Sequence, residues 1–384
     1  MELRESGGLS IQLKSKVESM FGEQIRQQGQ EVLLGLGVEH AMVQISDSGA
    51  LPFVLAARLE AAVKQLTGTD QCWIPPLIEQ NRYPSQRDRF RFSRLYLPGN
   101  TPSMMLNAGI HQPEGIILDL EDSVAPDKKA EARLLVRNAL CQVDFYGAER
   151  MVRINQLPAG LDDLEVLIPH QVHLVLLPKC EKAAQVREVD QRIRTILNTE
   201  GQDRAVFLMP IIESALGVEN AFEIATASEQ VVAMAIGLED YTADLGVRRS
   251  AGGEESLYAR TRLVNACKAA GIQAIDSVFS DVADMEALRR NVEHSRALGF
   301  EGMGCIHPRQ VSVIREAFLP GKEEIDQARR IVEAFEEAES KGLGVVALGS
   351  KMIDPPVVKR ALRTLELASK LTSGGVKKSL KVHR

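Results

Sequence analysis

Cysteine is scarce: five residues, Cys72, Cys141, Cys180, Cys267 and Cys305, scattered through the chain with no CxxC pair. That excludes a disulfide framework and a thiolate zinc site. Aromatic residues are only 4% of the chain, with a single tryptophan, so the core must be built from Leu, Ile, Val, Ala and Met. No apolar run approaches the ~20 residues of a membrane span. Met1–Ser10 lacks the apolar stretch of a signal peptide, and a cytoplasmic protein without membrane contact is expected. There is no basic excess either. The 46 Lys and Arg are interspersed with 52 Asp and Glu for a net charge of −6, which leaves no stripe for nucleic acid. The one basic cluster, Lys377, Lys378, Lys381 and Arg384, reads as a solvated terminus.

What is present is ample apolar material. Hydrophobic residues make up 45% and charged residues 26% of 384 positions, an ordinary globular balance. Residues 1–68 read as a small α+β module: a short strand at Ile11–Leu13, a helix over Val17–Leu36, a strand at Ala41–Ile45 and a helix over Leu51–Leu66. Residues 69–92 hold Trp73, Pro75, Pro76 and Pro84 with a polar run, the composition of a linker that packs partly on a neighbour. From residue 93 to 319, eight short apolar runs recur: Arg94–Leu97, Gly115–Leu120, Met151–Ile154, Val172–Leu177, Ala205–Ile212, Val231–Ile236, Ala274–Val278 and Gly302–Ile306. Several lack polar alternation, as strands of a parallel sheet covered on both faces do. Helical segments fill the intervals. Eight strands alternating with eight helices predict a TIM (β/α)8 barrel, which takes ~250 residues; a doubly wound open sheet is the alternative. Residues 320–384 read as a helical C-terminal extension, with helices over Glu323–Lys341 and Val357–Ser369 and a loop between them.

In such a barrel, chemistry belongs at the C-terminal ends of the strands. The second strand ends in Asp119, Glu121 and Asp122, three carboxylates within four residues. They repel one another and call for a cation or guanidinium nearby; a polar loop with helix-capping aspartates is the plainer account. On the third strand, Arg153 alternates with apolar Val152 and Ile154. It can point inward, where it must pair with a carboxylate or bind an oxyanion. Glu213 closes the fifth strand and Asp240 follows the sixth. Each alone reads as a helix cap, but two carboxylates on neighbouring strand ends suit Mg2+, which keeps water and substrate oxygens in its remaining positions.

At these residues the chain resembles the citrate lyase beta-subunit family, which also contains malyl-CoA and citramalyl-CoA lyases. The motifs are RLYLPG at Arg94–Gly99, LDLEDSVAP at Leu118–Pro126, VRIN at Val152–Asn155, LPK at Leu177–Lys179, IESALG at Ile212–Gly217, GLEDY at Gly237–Tyr241, IHP at Ile306–Pro308 and GSKMIDP at Gly349–Pro355. The resemblance implies a TIM barrel with Glu213 and Asp240 as ligands of Mg2+, or of Mn2+, and Arg153 as the catalytic arginine. It sets Arg94, Glu121 and Asp122 around the substrate and the arginine. It makes Asp354 an acid/base residue delivered from a neighbouring subunit, although a turn residue before Pro355 is what the local sequence suggests. His307 also matches, and reads as a packed histidine. Ser15–Gly22, Ser48–Leu51 and Ala57–Leu66 resemble the citrate lyase acyl carrier protein, the gamma subunit. Glu5-Ser6-Gly7-Gly8 echoes that family's prosthetic-group motif only across a large deletion.

The implied reaction is retro-Claisen cleavage of a citryl thioester, on CoA or a carrier, to an acetyl thioester and oxaloacetate. Malyl-CoA or citramalyl-CoA cleavage, giving glyoxylate or pyruvate, is the alternative; a carrier or scaffold subunit is the non-enzymatic one. The resemblance further implies a homotrimer or hexamer and citrate lyase-type partner subunits.

Overall fold

The computed structural model describes residues 1–250, 252–340, 346–348 and 351–379. Lys381 and Arg384 of the basic tail, and Gly349 and Ser350 of the last motif, lie outside the described residues. There are two compact units, Met1–Ile314 and Arg315–Arg384.

The first unit opens with β1 (Glu2–Leu3), β2 (Leu9–Ser15), α1 (Glu18–Gly35), β3 (Ala41–Asp47) and α2 (Pro52–Thr67). Ala41, Val43 and Ile45 alternate inward along β3, as one face of a half-buried strand must. That strand is central, parallel to β2 and antiparallel to β1. Both helices lay apolar faces on it, α1 through Ile25, Val32 and Leu33, α2 through Leu55, Leu59 and Val63. Gly68 ends α2 in the left-handed conformation at φ 67°, a backbone that glycine adopts without a Cβ penalty.

The eight apolar runs become β4 (Ser93–Pro98), β5 (Gly115–Asp119), β6 (Glu149–Arg153), β7 (Leu174–Leu177), β8 (Phe207–Ile212), β9 (Ala233–Ile236), β10 (Gln273–Asp276) and β11 (Gly302–Cys305). They form a closed barrel in chain order, with β11 bonded back to β4; every pair is parallel. The open sheet is thereby excluded. Its interior is packed by residues such as Ile117, Met151, Leu176, Met209, Ile211 and Ile275. Outside run α3 (Pro102–Met105), α4 (Lys129–Gln142), α5 (Gly160–Leu167), α6 (Ala183–Thr199), α7 (Ala215–Glu219), α8 (Ala221–Ala225), α9 (Leu238–Asp244), α10 (Glu254–Ala270), α11 (Met285–Leu298) and α12 (Pro308–Phe318). The interval between β8 and β9 holds two short helices, α7 and α8, and α9 is an element that the apolar pattern does not mark.

The small module is joined to the barrel by a buried ion pair. Arg137 of α4 donates from both terminal nitrogens to Glu60 of α2, at 2.9 and 2.6 Å, and both side chains are at most 1% exposed. Asn138 adds a bond to the Phe53 carbonyl. The intervening segment packs along the barrel: Asn81 donates to the Leu140 and Val143 carbonyls, and Arg91 forms a fully buried pair with Glu149. Losing one member of a buried pair strands the other charge, so Glu60→Ala is expected to destabilise the first unit by about 3–5 kcal/mol. Denaturation of Glu60→Ala and of the apolar double variant Glu60→Leu/Arg137→Met checks this: the double variant should recover most of the loss.

The second unit carries α13 (Lys322–Ser340), a hairpin of β12 (Val346–Leu348) and β13 (Lys351–Ile353), and α14 (Pro355–Ser379). The hairpin occupies the stretch read as a loop, with Ala347 opposite Met352. Ala328, Ile353, Val358 and Ala361 are buried.

Candidate active site

Strand register sets the centre of the site. Asp119, the last residue of β5, lies directly beside Arg153, the last residue of β6. Arg153 Nε and Nη2 donate to the two Asp119 oxygens at 2.6 and 2.7 Å, the parallel fork that a guanidinium makes with a carboxylate. Nη1 turns to Glu121 Oε2 at 2.7 Å and Asp122 at 3.5 Å. Glu121 Oε2 accepts no well-aligned hydrogen bond from it. Tyr96 of β4 lies beneath, its ring 5.5 Å from the guanidinium carbon.

The pKa shifts follow from these contacts. Burial works against charge on Arg153, but the Asp119 hydrogen bonds and charge outweigh it and hold the pKa above the usual arginine value. Burial would raise the Asp119 carboxyl, yet the same bonds hold it low. Glu121 is raised, first by burial and then by Asp122, because Arg153 offsets only part of the cost.

Glu213 and Asp240 flank this cluster. Glu213 is the residue after β8, just before Ser214, whose side chain caps α7. It is 6% exposed. Burial pushes its carboxyl up to about 7, with repulsion from Asp240 and Glu121 adding to the rise. Asp240 sits in the first turn of α9, whose N-cap is Gly237. Lys179 of the LPK segment touches both: its backbone N–H donates to Glu213 Oε2 at 2.8 Å, and its ammonium meets Asp240 Oδ1 at 3.0 Å. Lys179 holds φ at 46°, a left-handed backbone uncommon for a residue with a side chain and frequent at functional sites.

These residues fit a hard divalent cation. Glu213 and Asp240 offer the two carboxylates that Mg2+ takes when water and substrate complete its shell, and Asp240 already holds the Lys179 ammonium as a counter-charge. Among the described residues no group of three His, Cys, Asp or Glu converges on a metal position. The backbone leaves room for the glutamate: a Cβ on Gly237 would lie 2.5 Å from Glu213 Oε1. Gly237→Ala is therefore expected to displace Glu213 and weaken Mg2+ binding by about tenfold, read by calorimetric titration of the metal, with little change in melting temperature.

Most of these groups face one cavity of about 790 Å³ at the C-terminal end of the barrel, lined by Arg94, Tyr96, Asp119, Asp122, Arg153, Glu213, Asp240 and His307 among others. The predicted residues Arg153, Glu213, Asp240, Asp122 and Arg94 thus share one cavity, and Glu121 abuts it through Arg153. His307 is half-buried and its Nδ1 accepts from Arg309 N–H, a packing role with one edge on the cavity. Asp354 belongs to the second unit. It follows β13 and caps α14, accepting from Val357 N–H at 3.2 Å. Two participants carry no individual role in the sequence: Asp119, one of three neighbouring carboxylates, whose partnership with Arg153 is a matter of register, and Lys179, present only as the end of the LPK motif.

Residues 93–308 match the HpcH/HpaI aldolase/citrate lyase family. The chain belongs to that family. It is an enzyme of the carbon–carbon lyase class, of the citrate lyase beta-subunit type. Residues 1–66 match the acyl-carrier family described as malonate decarboxylase delta subunit. Citrate lyase subunit beta of Haemophilus influenzae is 40% identical over 283 residues, 73% of this chain and 97% of that protein. The mitochondrial citramalyl-CoA lyase of Homo sapiens is 33% identical over 289 residues, 72% of this chain and 85% of its own. Among solved structures, protein CitE of Mycobacterium tuberculosis in complex with magnesium, acetoacetate and coenzyme A aligns with a TM-score of 0.63 at 32% identity, covering 74% of this chain and all of that one (100%). No described helix is long and apolar enough to cross a membrane.

Proposed function

We propose that this enzyme is a magnesium-dependent lyase that cleaves a citryl thioester, on CoA or on a carrier, to an acetyl thioester and oxaloacetate. The observation that carries the reading is the convergence of Glu213, Asp240 and the Asp119-anchored Arg153 on one cavity. Held by Glu213 and Asp240, Mg2+ would supply Lewis-acid polarisation of the hydroxyl and carboxylate oxygens of the substrate.

The protein's own groups do the rest. The bond between the hydroxyl-bearing carbon and the thioester α-carbon breaks; its electron pair moves onto the thioester as an enolate. Arg153 faces the cavity with its charge fixed by Asp119, already oriented for that developing oxyanion, and so no reorganisation is needed at the moment of reaction. The hydroxyl gives up its proton to solvent, and the protons balance when the enolate carbon takes one. Asp354 is the group assigned to deliver it. The reading extends to a homo-oligomer, a trimer or hexamer, in which Asp354 serves a neighbour's barrel.

The acyl-carrier-like module favours citryl over malyl or citramalyl thioesters, and it is consistent with citrate lyase-type partner subunits. Similarity to a citramalyl-CoA lyase supports citramalyl-CoA as the second substrate reading. An intact Arg153–Asp119–Glu213–Asp240 constellation argues against a scaffold that has lost its chemistry. The test is cleavage of citryl-, citramalyl- and malyl-CoA by enzyme stripped with EDTA and then reloaded. Activity should be lost on stripping and restored by Mg2+ or Mn2+, and Glu213→Gln should fall by about two orders of magnitude or more. Full turnover in EDTA, or in Glu213→Gln, would sink the metal assignment; cleavage of none of the three thioesters would sink the lyase reading.

A further inference from the structure

Among the described residues, no carboxylate pairs with the buried guanidinium of Arg94. Arg94 is the second residue of β4 and shares its inward face with Tyr96, two residues on. It is 1% exposed. Arg91, Arg137 and Arg260 are paired with Glu149, Glu60 and Asp276; Arg150 has no carboxylate but holds the Gln171 carbonyl, His173 and the face of Tyr83. Arg94 has only the Met209 thioether, 2.8 Å from Nη1, and its Nε has no partner.

Its neighbours offer no charge. Tyr96 and Cys305 are held neutral, because burial raises the phenol and pushes the thiol up to about 12. Glu149, which also acts on it through space, gives both carboxylate oxygens to Arg91. Arg94 nevertheless lines the same cavity as Arg153, Glu213 and Asp240. It does so from four residues below the end of its strand at Pro98, and hence from the floor. Gly304 lies beside Arg94 in the sheet and lets the neighbours pack close: a Cβ there would lie 2.7 Å from Val278, 3.1 Å from Tyr96 and 3.8 Å from Arg94 Nη2. An unpaired cation in a dry interior is costly, and such groups are retained where a ligand completes them.

We infer that Arg94 takes a second carboxylate of the substrate at the cavity floor, and so selects thioesters whose 2-oxo acid product is a dicarboxylate. This rests on the lyase reading above and adds the residue that sets its substrate class. A monocarboxylate such as pyruvate leaves the guanidinium unmatched; a dicarboxylate fills it. A polar group built to be satisfied by one ligand rejects the analogue that lacks the partner.

The test titrates oxaloacetate and pyruvate into the Mg2+-loaded wild type and Arg94→Met, a neutral side chain of similar length. The wild type should bind oxaloacetate about tenfold or more tightly than pyruvate. Arg94→Met should lose that preference, hold pyruvate within about twofold, and melt no lower than the wild type without ligand, since it removes an unbalanced charge. Should the methionine variant precipitate, Arg94→Gln makes the same comparison. A preference that survives in the neutral variant overturns the inference, as does a wild type that binds the two keto acids equally. Citryl-CoA cleavage by the same preparations separates the two claims. Cleavage with selectivity indifferent to Arg94 sinks this inference alone; Arg94-dependent selectivity without cleavage sinks the lyase reading alone.

Discussion

Arg153→Lys is expected to lose about two orders of magnitude or more in kcat, with thioester KM changed far less. The lysine keeps the charge but not the shape. Arg153 spends two nitrogens on a parallel grip of Asp119 and turns the third toward Glu121 and the cavity. An ammonium is a single point on a flexible stem, so it cannot be anchored by Asp119 and also present a fixed donor to an oxyanion. The loss should fall on kcat because the interaction strengthens only as the enolate forms. Steady-state kinetics on citryl-CoA, with melting curves beside them, give the answer. A lysine variant turning over within a few fold of wild type would reduce Arg153 to a structural partner of Asp119.

The second large effect concerns Asp354. Asp354→Ala and Glu213→Gln should each be nearly inactive alone, the first by about 10²–10⁴-fold for loss of a general acid. Mixed under conditions that exchange subunits, they should regain activity. Some sites then pair an intact barrel with an intact second unit from a neighbour. The aspartate stands at the head of α14, directly after a two-stranded hairpin, a placement that holds a short side chain at a defined point of a separate compact unit. Native mass spectrometry establishes that exchange has occurred. Exchange without recovered turnover would refute delivery in trans.

Much of the barrel was legible because its strands are buried on both faces and so appear as apolar runs wherever they occur. Gly302–Cys305 could be found with only four residues for this reason. The residues at the strand ends were legible as charges closing those runs. What failed to show had other causes. The helix α9 is seven residues and starts two residues after β9, too short for a helical period to stand apart from the strand. The hairpin of β12 and β13 has three residues on each strand, below what alternation can mark. Asp119 was one of three neighbouring carboxylates, and only the register of β5 against β6 picks it as the anchor of Arg153. Lys179 takes part through a left-handed backbone that a lysine does not announce. Arg94 was visible as a motif residue, but its want of a partner is a property of the closed barrel.

The buried contact between Glu60 and Arg137 reaches beyond stability. Separate carrier and lyase chains must find each other at a rate and occupancy set by their concentrations. Here a shared polypeptide and a dry ion pair replace that equilibrium with a fixed ratio of one to one. Dilution cannot part the two folds, and unequal synthesis cannot leave one in excess. Selection acting on the seam between them is therefore selection on a protein interior, where a change on α2 must be answered on α4.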